Sequence, residues 1–238
     1  MDLADRRGLE TDVYQPAEDS HLLADVACAH IAPSSLVLEV GTGSGYVADR
    51  LAREAGARVV AADINPNAVE AARARARYGL EGAADTDASA DTDDGEHRDE
   101  REDGQPRGTL SSRRSGPYGV EPSAFEVVRA DLVSPFATDA FDAVVFNPPY
   151  LPTDPDHEWD DWMERALSGG ADGRAVIDPF LEAVPRVLAD DGVVYLLVSS
   201  LTGVDAVAEQ AGVAGFSAVA LADKSFPYET LTILKLRQ

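Results

Sequence analysis

The sequence predicts a doubly wound α/β domain, a seven-stranded and mostly parallel sheet with helices on both faces. Three observations predict it. Short, continuously apolar runs such as SLVLEV (35–40) and FDAVVF (141–146) are typical of strands covered on both faces. These runs alternate with segments of helical period, the pattern of strand–helix–strand crossovers. The first run leads into GTGSG (41–45), a glycine turn from strand to helix.

The elements follow in order. QPAEDSHLLADVACAH (15–30) is expected to be helical, with Pro16 in its first turn and Glu18 and Asp19 near the positive end of the helix dipole. Leu22, Leu23, Val26 and Ala27 form its apolar stripe, and Pro33 ends it. After SLVLEV and the glycine turn, YVADRLAREAG (46–56) is a helix closed by Gly56. ARVVAAD (57–63) is the second strand. NPNAVEAARARARYGL (65–80) is the next helix, with Asn65 as N-cap and Pro66 at the first helical position. Its RARAR run (73–77) is expected to be a solvated face.

From about residue 83 to 119 the chain is rich in Asp, Glu, Gly and Ser and nearly empty of large apolar residues. Such a segment cannot bury enough surface to offset its ordering entropy, so a disordered acidic insertion is expected there. Strand character resumes in AFEVVRADL (124–132) and FDAVVF. GRAVIDPFLEAVPRVLADDG (173–192) is expected to be mostly helix, with a possible kink at Pro185. VVYLLVSS (193–200) is a strand and VDAVAEQAG (204–212) a helix. FSAVALA (216–222) and ETLTILKL (229–236) close the sheet as an antiparallel pair. Residues 1–34 then form an N-terminal helical segment packed on a domain spanning 35–238.

Composition excludes several classes. No apolar run reaches the roughly 18 residues that span a bilayer, and MDLADRRGLETD lacks the apolar core of a signal peptide. Cys28 is the only cysteine, and the four histidines show no ligand spacing, so no metal site is expected. A soluble cytoplasmic protein is expected. The chain carries 43 acidic residues against 20 basic ones, a net charge of −23, with lysine only at 224 and 235. Repulsion of nucleic acid would be one reason. Adaptation to a high-salt cytosol fits better with so few lysines, because at molar salt the Debye length falls to about 3 Å and self-repulsion is screened.

The glycine turn carries the first chemical signal. Glu39-Val40-Gly41-Thr42-Gly43-Ser44-Gly45 is an acid-x-G-x-G-x-G loop. A dinucleotide fingerprint would be G-x-G-x-x-G, but here Tyr46 holds the place of the last glycine. No phosphate-binding G-x-x-x-x-G-K-[ST] exists. Asp63, 22 residues beyond Gly41, ends the second strand, where an acid can accept hydrogen bonds from both ribose hydroxyls of a nucleoside. Glu39 would repel a pyrophosphate. It would suit a cofactor carrying a sulfonium and an ammonium, so the pattern points to S-adenosyl-L-methionine.

The second signal is FNPPYLPTD (146–154), directly after FDAVVF. Ligands of open α/β sheets sit at the carboxyl ends of strands, near the switch in strand order. In the common methyltransferase order the first strand lies beside the fourth, so NPPY would face the methyl donor. A planar NH₂ is a poor nucleophile because its lone pair is delocalised. The Asn147 side-chain carbonyl and the Pro148 backbone carbonyl could grip both N–H bonds. Pro148 and Pro149 fix φ, which positions those acceptors in advance. Tyr150 offers a flat face for stacking. Glutamine, adenine and cytosine all present such a nitrogen. His157, Trp159 and Trp162 follow as either a substrate-facing flap or loop packing.

VYQPAEDSHLL (13–23), LEVGTGSG (38–45), ADINPNAVEAA (62–72), DLV (131–133) and FDAVVFNPPYLPTD (141–154) together resemble the HemK-type glutamine methyltransferases of release factors. LSGGADGRAVIDPFLEAVPRVL (167–188) and ETLTILKL extend the resemblance, which is nearest to the short archaeal and eukaryotic branch. It implies a class I S-adenosylmethionine-dependent methyltransferase fold of strand order 3-2-1-4-5-7-6. It implies methylation of the GGQ glutamine of a class I peptide-chain release factor. By motif position Ser20 (usually Thr in the family), Glu39, Gly41, Asp63, Asp131 and Leu132 would contact the cofactor, the last two flanking adenine. Gly43 and Gly45 complete the cofactor loop, and Asn147 would touch both cofactor and substrate. The short branch also resembles enzymes that need a small zinc-ribbon activator. The exposed edge strand, residues 124–130, is where such a partner would add a strand.

Two other functions compete. An adenine-amino methyltransferase of DNA or RNA would use the same NPPY logic with base flipping. No target-recognition domain, basic stripe or aromatic ladder supports it. A catalytically inactive protein-binding scaffold is opposed by the intact glycine loop, Asp63 and NPPY.

Overall fold

The computed structural model describes residues 13–86, 124–153, 162 and 166–238. In chain order the elements are α1 (Glu18–His30), β1 (Leu36–Val40), α2 (Tyr46–Arg53), β2 (Arg58–Asp63), α3 (Pro66–Thr86), β3 (Glu126–Arg129) and β4 (Phe141–Phe146). They continue with α4 (Ile177–Ala183), a 3₁₀ turn (Val184–Val187), β5 (Leu188–Ser199), α5 (Val204–Val213), β6 (Ser217–Ser225) and β7 (Thr230–Arg237).

The seven strands form one sheet in the order β3-β2-β1-β4-β5-β7-β6. β7 runs antiparallel between β5 and β6, and the other neighbours are parallel. The predicted architecture and order are therefore present. A hydrophobic cluster covers each face. One contains Leu23 and Ala27 of α1, Leu51 of α2 and Ala72 of α3. The other contains Phe180 and Leu181 of α4 and Val207 of α5. β1 and β4 lie in the middle, and Val37, Leu38, Val144 and Val145 are fully buried. That two-sided burial explains why these strands read as continuous apolar runs.

The topology switches between β1 and β4. Val40 pairs with Phe146, so the turns that follow the two strands emerge side by side. The site is built on that juxtaposition.

Several boundaries differ from expectation. α1 begins at Glu18 with Ala17 as N-cap, which leaves Pro16 outside the first turn. The N-cap of α3 holds: Asn67 N–H donates to Asn65 Oδ1 at 2.9 Å. α3 runs on to Thr86, into the first residues of the expected insertion. Residues 87–119 of that insertion lie outside the described residues. β3 covers only four residues of the predicted 124–132. The expected long helix over 173–192 is three pieces. Positive φ at Gly170 and Gly173 keeps the start in a loop. Pro185 has no N–H to continue α4, and the chain tightens to a 3₁₀ turn there. β5 then starts early, at Leu188, and bulges before Val193, where pairing with β4 resumes.

Candidate active site

A cavity of about 290 Å³ opens at the carboxyl ends of β1, β2 and β4. Ser20, Glu39, Gly41, Gly43, Asp63, Asp131, Leu132, Asn147, Pro148, Pro149 and Tyr150 all line it. Gly45, the remaining predicted residue, does not. It is the N-cap of α2 in the left-handed region, and a Cβ there would lie 3.0 Å from Ala72 Cα and 3.1 Å from Phe125 Cζ. Its glycine serves helix packing.

Gly41 has φ +65°, and a Cβ would approach the Phe146 ring at 3.3 Å. At Gly43, φ is +53° and the Tyr14 carbonyl passes 3.5 Å from where a Cβ would sit. The loop is thus kept thin where it meets both NPPY and the N-terminal segment. Asp63 secures it from β2. Its Oδ2 accepts the Gly43 N–H at 2.9 Å and its Oδ1 accepts the Asn65 N–H at 2.9 Å. Burial pushes the Asp63 carboxyl above its ordinary range, against the pull of those backbone bonds.

Glu39 is 4% exposed. It accepts the Thr42 hydroxyl at 2.5 Å. Burial dominates its titration and lifts its pKa to about 8, opposed by the Thr42 hydroxyl and the Ala48 backbone N–H. Asp19 is 3% exposed and also lines the cavity. Its Oδ2 accepts the Tyr14 hydroxyl at 2.9 Å and its Oδ1 accepts the Ser20 N–H at 2.6 Å. Asp131 and Leu132 follow β3, and Leu132 has φ +46°, a left-handed conformation unusual for a branched side chain. Such strain gathers at functional sites.

Four acidic side chains, Asp19, Glu39, Asp63 and Asp131, share this cavity, and no Lys, Arg or His lines it among the described residues. The cavity is chemically suited to a cation. The Arg75 guanidinium favours ionisation of Glu39. It donates to the Ser44 carbonyl at 2.8 Å and sits over the Tyr46 ring, so one arginine of the RARAR run braces the loop rather than facing solvent.

NPPY extends β4 into the cavity. Asn147 Oδ1 is buried and has no hydrogen-bond partner among the described residues. A buried acceptor left unpaired costs about 1–3 kcal/mol, which a donor on a ligand would recover. Tyr150 is 7% exposed, with its side chain between the cavity and the core. The chain beyond it is clasped by residues 167–173. Leu151 N–H donates to the Leu167 carbonyl at 3.1 Å, Gly169 N–H returns to the Leu151 carbonyl at 2.8 Å, and Thr153 N–H reaches the Gly170 carbonyl at 2.9 Å. A Cβ at Gly173 would strike the Tyr150 carbonyl at 2.7 Å. Trp162 lines the cavity, while His157 and Trp159 lie outside the described residues.

The sequence pattern missed Tyr14, Asp19, Thr42, Ile64 and Val176, which also line the cavity. Asp19 was visible only as a helix-dipole partner. The signal available was its place in PAED, beside Ser20.

A family model described as a methyltransferase domain matches residues 37–100. Methyltransferase HEMK2 of Homo sapiens is 30% identical over 96% of this chain and 91% of its own length. MJ0928 of Methanocaldococcus jannaschii, provisionally named a protein N5-glutamine methyltransferase, is 31% identical over 95% of this chain and 92% of its own. Against the release factor glutamine methyltransferase of Mycolicibacterium smegmatis the chain spans 52% of that protein's length at 31% identity. Among solved structures, a chain of the E. cuniculi Mtq2–Trm112 complex, described as responsible for methylation of the eRF1 translation termination factor, superposes with TM-score 0.63. It is 26% identical, over 96% of this chain and 99% of that one. By its identity to these full-length relatives, the chain belongs to the HemK-type family of protein glutamine methyltransferases.

Proposed function

We propose that this chain, in the cytoplasm, methylates the side-chain amide nitrogen of the GGQ glutamine of a class I peptide-chain release factor, with S-adenosylmethionine as donor. The observation that carries the proposal is the buried, unpartnered Asn147 Oδ1 at the end of β4, beside the glycine loop. Domain 35–238 would perform the transfer.

When bound, the donor supplies an electrophilic methyl on a cationic sulfur. The chain's residues do the rest. Asp63 would offer the unused lone pairs of its fixed carboxylate to the ribose hydroxyls. Asp131 and Leu132 would border the adenine. Glu39 and Ser20 would meet the amino-acid end. Asn147 Oδ1 and the Pro148 carbonyl would accept the two amide N–H bonds and aim the nitrogen lone pair at the methyl. No strong base is needed, because the nitrogen sheds its proton after it has become cationic. Pro148 and Pro149 hold the acceptors before substrate arrives, so little ordering entropy is lost on binding.

A small zinc-ribbon activator, forming a complex with this chain as Trm112 does with Mtq2, would dock along residues 124–130. β3 is an outer strand of the sheet, with Glu126 and Arg129 exposed and Val127 and Val128 half-buried. A preparation of the chain alone that is monodisperse and fully active would contradict this docking.

The test of the function is transfer of labelled methyl to the release factor. Labelling should vanish when the GGQ glutamine is replaced and when Asn147→Ala is used. Labelling of an oligonucleotide instead would assign the chain to adenine-amino chemistry.

A further inference from the structure

The sheet order sets the glycine loop and a second rim on opposite sides of NPPY. GTGSG and Asp63 end β1 and β2 on one side of β4, and the carboxyl end of β5 and the start of β7 lie on the other. The loop after β5 is tied to the NPPY turn. The Thr202 hydroxyl donates to the Tyr150 carbonyl at 3.4 Å, and Arg174 donates to the Thr202 carbonyl at 2.8 Å. The β6–β7 connection is tied to that loop in turn. Ser200 N–H donates to the Thr230 carbonyl at 2.8 Å, Thr230 N–H to the Ser200 hydroxyl at 3.0 Å, and the Ser199 hydroxyl to the Glu229 carboxylate at 2.8 Å. Phe226 N–H closes the connection onto the Glu229 carbonyl at 2.7 Å, its side chain packs against the core, and Pro227 fixes the next φ. Two large apolar side chains project from this braced frame: Leu201, 45% exposed, and Tyr228, 85% exposed. Neither lines the cavity.

We propose that Leu201 and Tyr228 form a docking ridge for the folded protein substrate, meeting an apolar patch beside its methyl-accepting loop rather than the accepting residue itself. The inference rests on the release-factor reading and names the surface of that site that recognises the rest of the substrate. In methyl transfer the nitrogen attacks from the side opposite the departing sulfur. The amide therefore reaches Asn147 from the side away from the glycine loop. The accepting residue is one link of a folded chain, and the protein around it then lies over the ends of β5 and β7. An aromatic and a branched aliphatic side chain on a fixed backbone lose little entropy on contact, which is the character of a binding anchor. At molar salt the Debye length is about 3 Å, so ionic docking contacts are screened while apolar ones are not.

Steady-state methyl transfer to the whole release factor, with the activator supplied, and to a short GGQ peptide separates docking from chemistry. In Tyr228→Ala, and in Tyr228→Ala combined with Leu201→Ser, KM for the release factor should rise about tenfold or more. The kcat at saturation, the affinity for S-adenosylmethionine and the peptide's kcat/KM should not change. Tyr228→Phe should keep the low KM. Val213→Ser removes an apolar side chain 82% exposed at the end of α5, where the chain turns to the amino end of the sheet, and should leave KM as it is. An unchanged release-factor KM in the double variant would overturn the docking. An equal fall in kcat/KM for protein and peptide would also overturn it, because the two residues would then shape the NPPY turn. So would self-association of the unmodified chain that Tyr228→Ala dissolves with KM unchanged, which would assign the ridge to a second copy. If the unmodified protein transfers no methyl to the release factor, the functional reading fails and this docking with it. Transfer that proceeds with a KM indifferent to both side chains removes the docking alone.

Discussion

Asn147 is held by position, not by partners. Its oxygen is buried and unpaired among the described residues. Asn147→Ala should therefore abolish methyl transfer while leaving thermal stability unchanged or slightly higher, because an orphaned acceptor is removed. Comparing single-turnover rates with a melting curve checks both halves. Glu39 makes an opposite statement about stability. Its folded-state pKa of about 8 lies above the ordinary 4.5, so the empty folded protein binds its proton more tightly than the unfolded chain does. Its contribution is complete below about pH 4.5 and is lost as pH rises toward 8. The ligand-free melting temperature of the unmodified protein, relative to Glu39→Gln, should fall across that window. Asn65 caps α3, and Asn65→Ala should cost about 1 kcal/mol in a denaturant titration. Glu39, Asp63, Asn147 and the prolines were legible because glycine and proline punctuation displays them. Asp19 and Thr42 were not, because their roles depend on hydrogen bonds between segments, the Tyr14 hydroxyl in one case and the Glu39 carboxyl in the other.

The strands and their neighbours were legible where burial is two-sided, as in β1 and β4, because such strands read as unbroken apolar runs. Residues 173–192 were misjudged for a physical reason. Their apolar spacing suits a helix, but Gly170 and Gly173 adopt positive φ to let the chain clasp residues 151–153, and Pro185 denies α4 a donor. The requirement that overrides helix propensity here comes from the active-site turn. Gly173→Ala tests that coupling. With φ +77° and the Tyr150 carbonyl 2.7 Å from the added Cβ, it should loosen the NPPY turn and lower the transfer rate more than it lowers donor affinity. A parallel loss in both would contradict the clasp. The N-terminal segment is similarly tied across the chain: Lys224 of β6 pairs with Glu18 at the start of α1, next to Asp19 and Ser20 in the cavity wall.

The order β3-β2-β1-β4-β5-β7-β6 brings together two turns separated by about 100 residues of sequence. Neither GTGSG nor NPPY makes a site alone, and the crossover rule of open α/β sheets is what let the sequence place them side by side. The net charge of −23 acts on the whole molecule. Salt screens repulsion among like charges, so the melting temperature should rise from dilute buffer to molar potassium chloride. A melting temperature that falls with salt would contradict adaptation to a saline cytosol.

On the function proposed above, the cavity at the β1–β4 switch directs a methyl group onto a glutamine amide. Labelled methyl transfer from S-adenosylmethionine to the release factor, in high salt and with the activator supplied, tests it most directly. One methyl is expected on the GGQ glutamine, lost with Asn147→Ala and with replacement of that glutamine. Methylation that persists after the glutamine is replaced, or that survives Asn147→Ala undiminished, would contradict it.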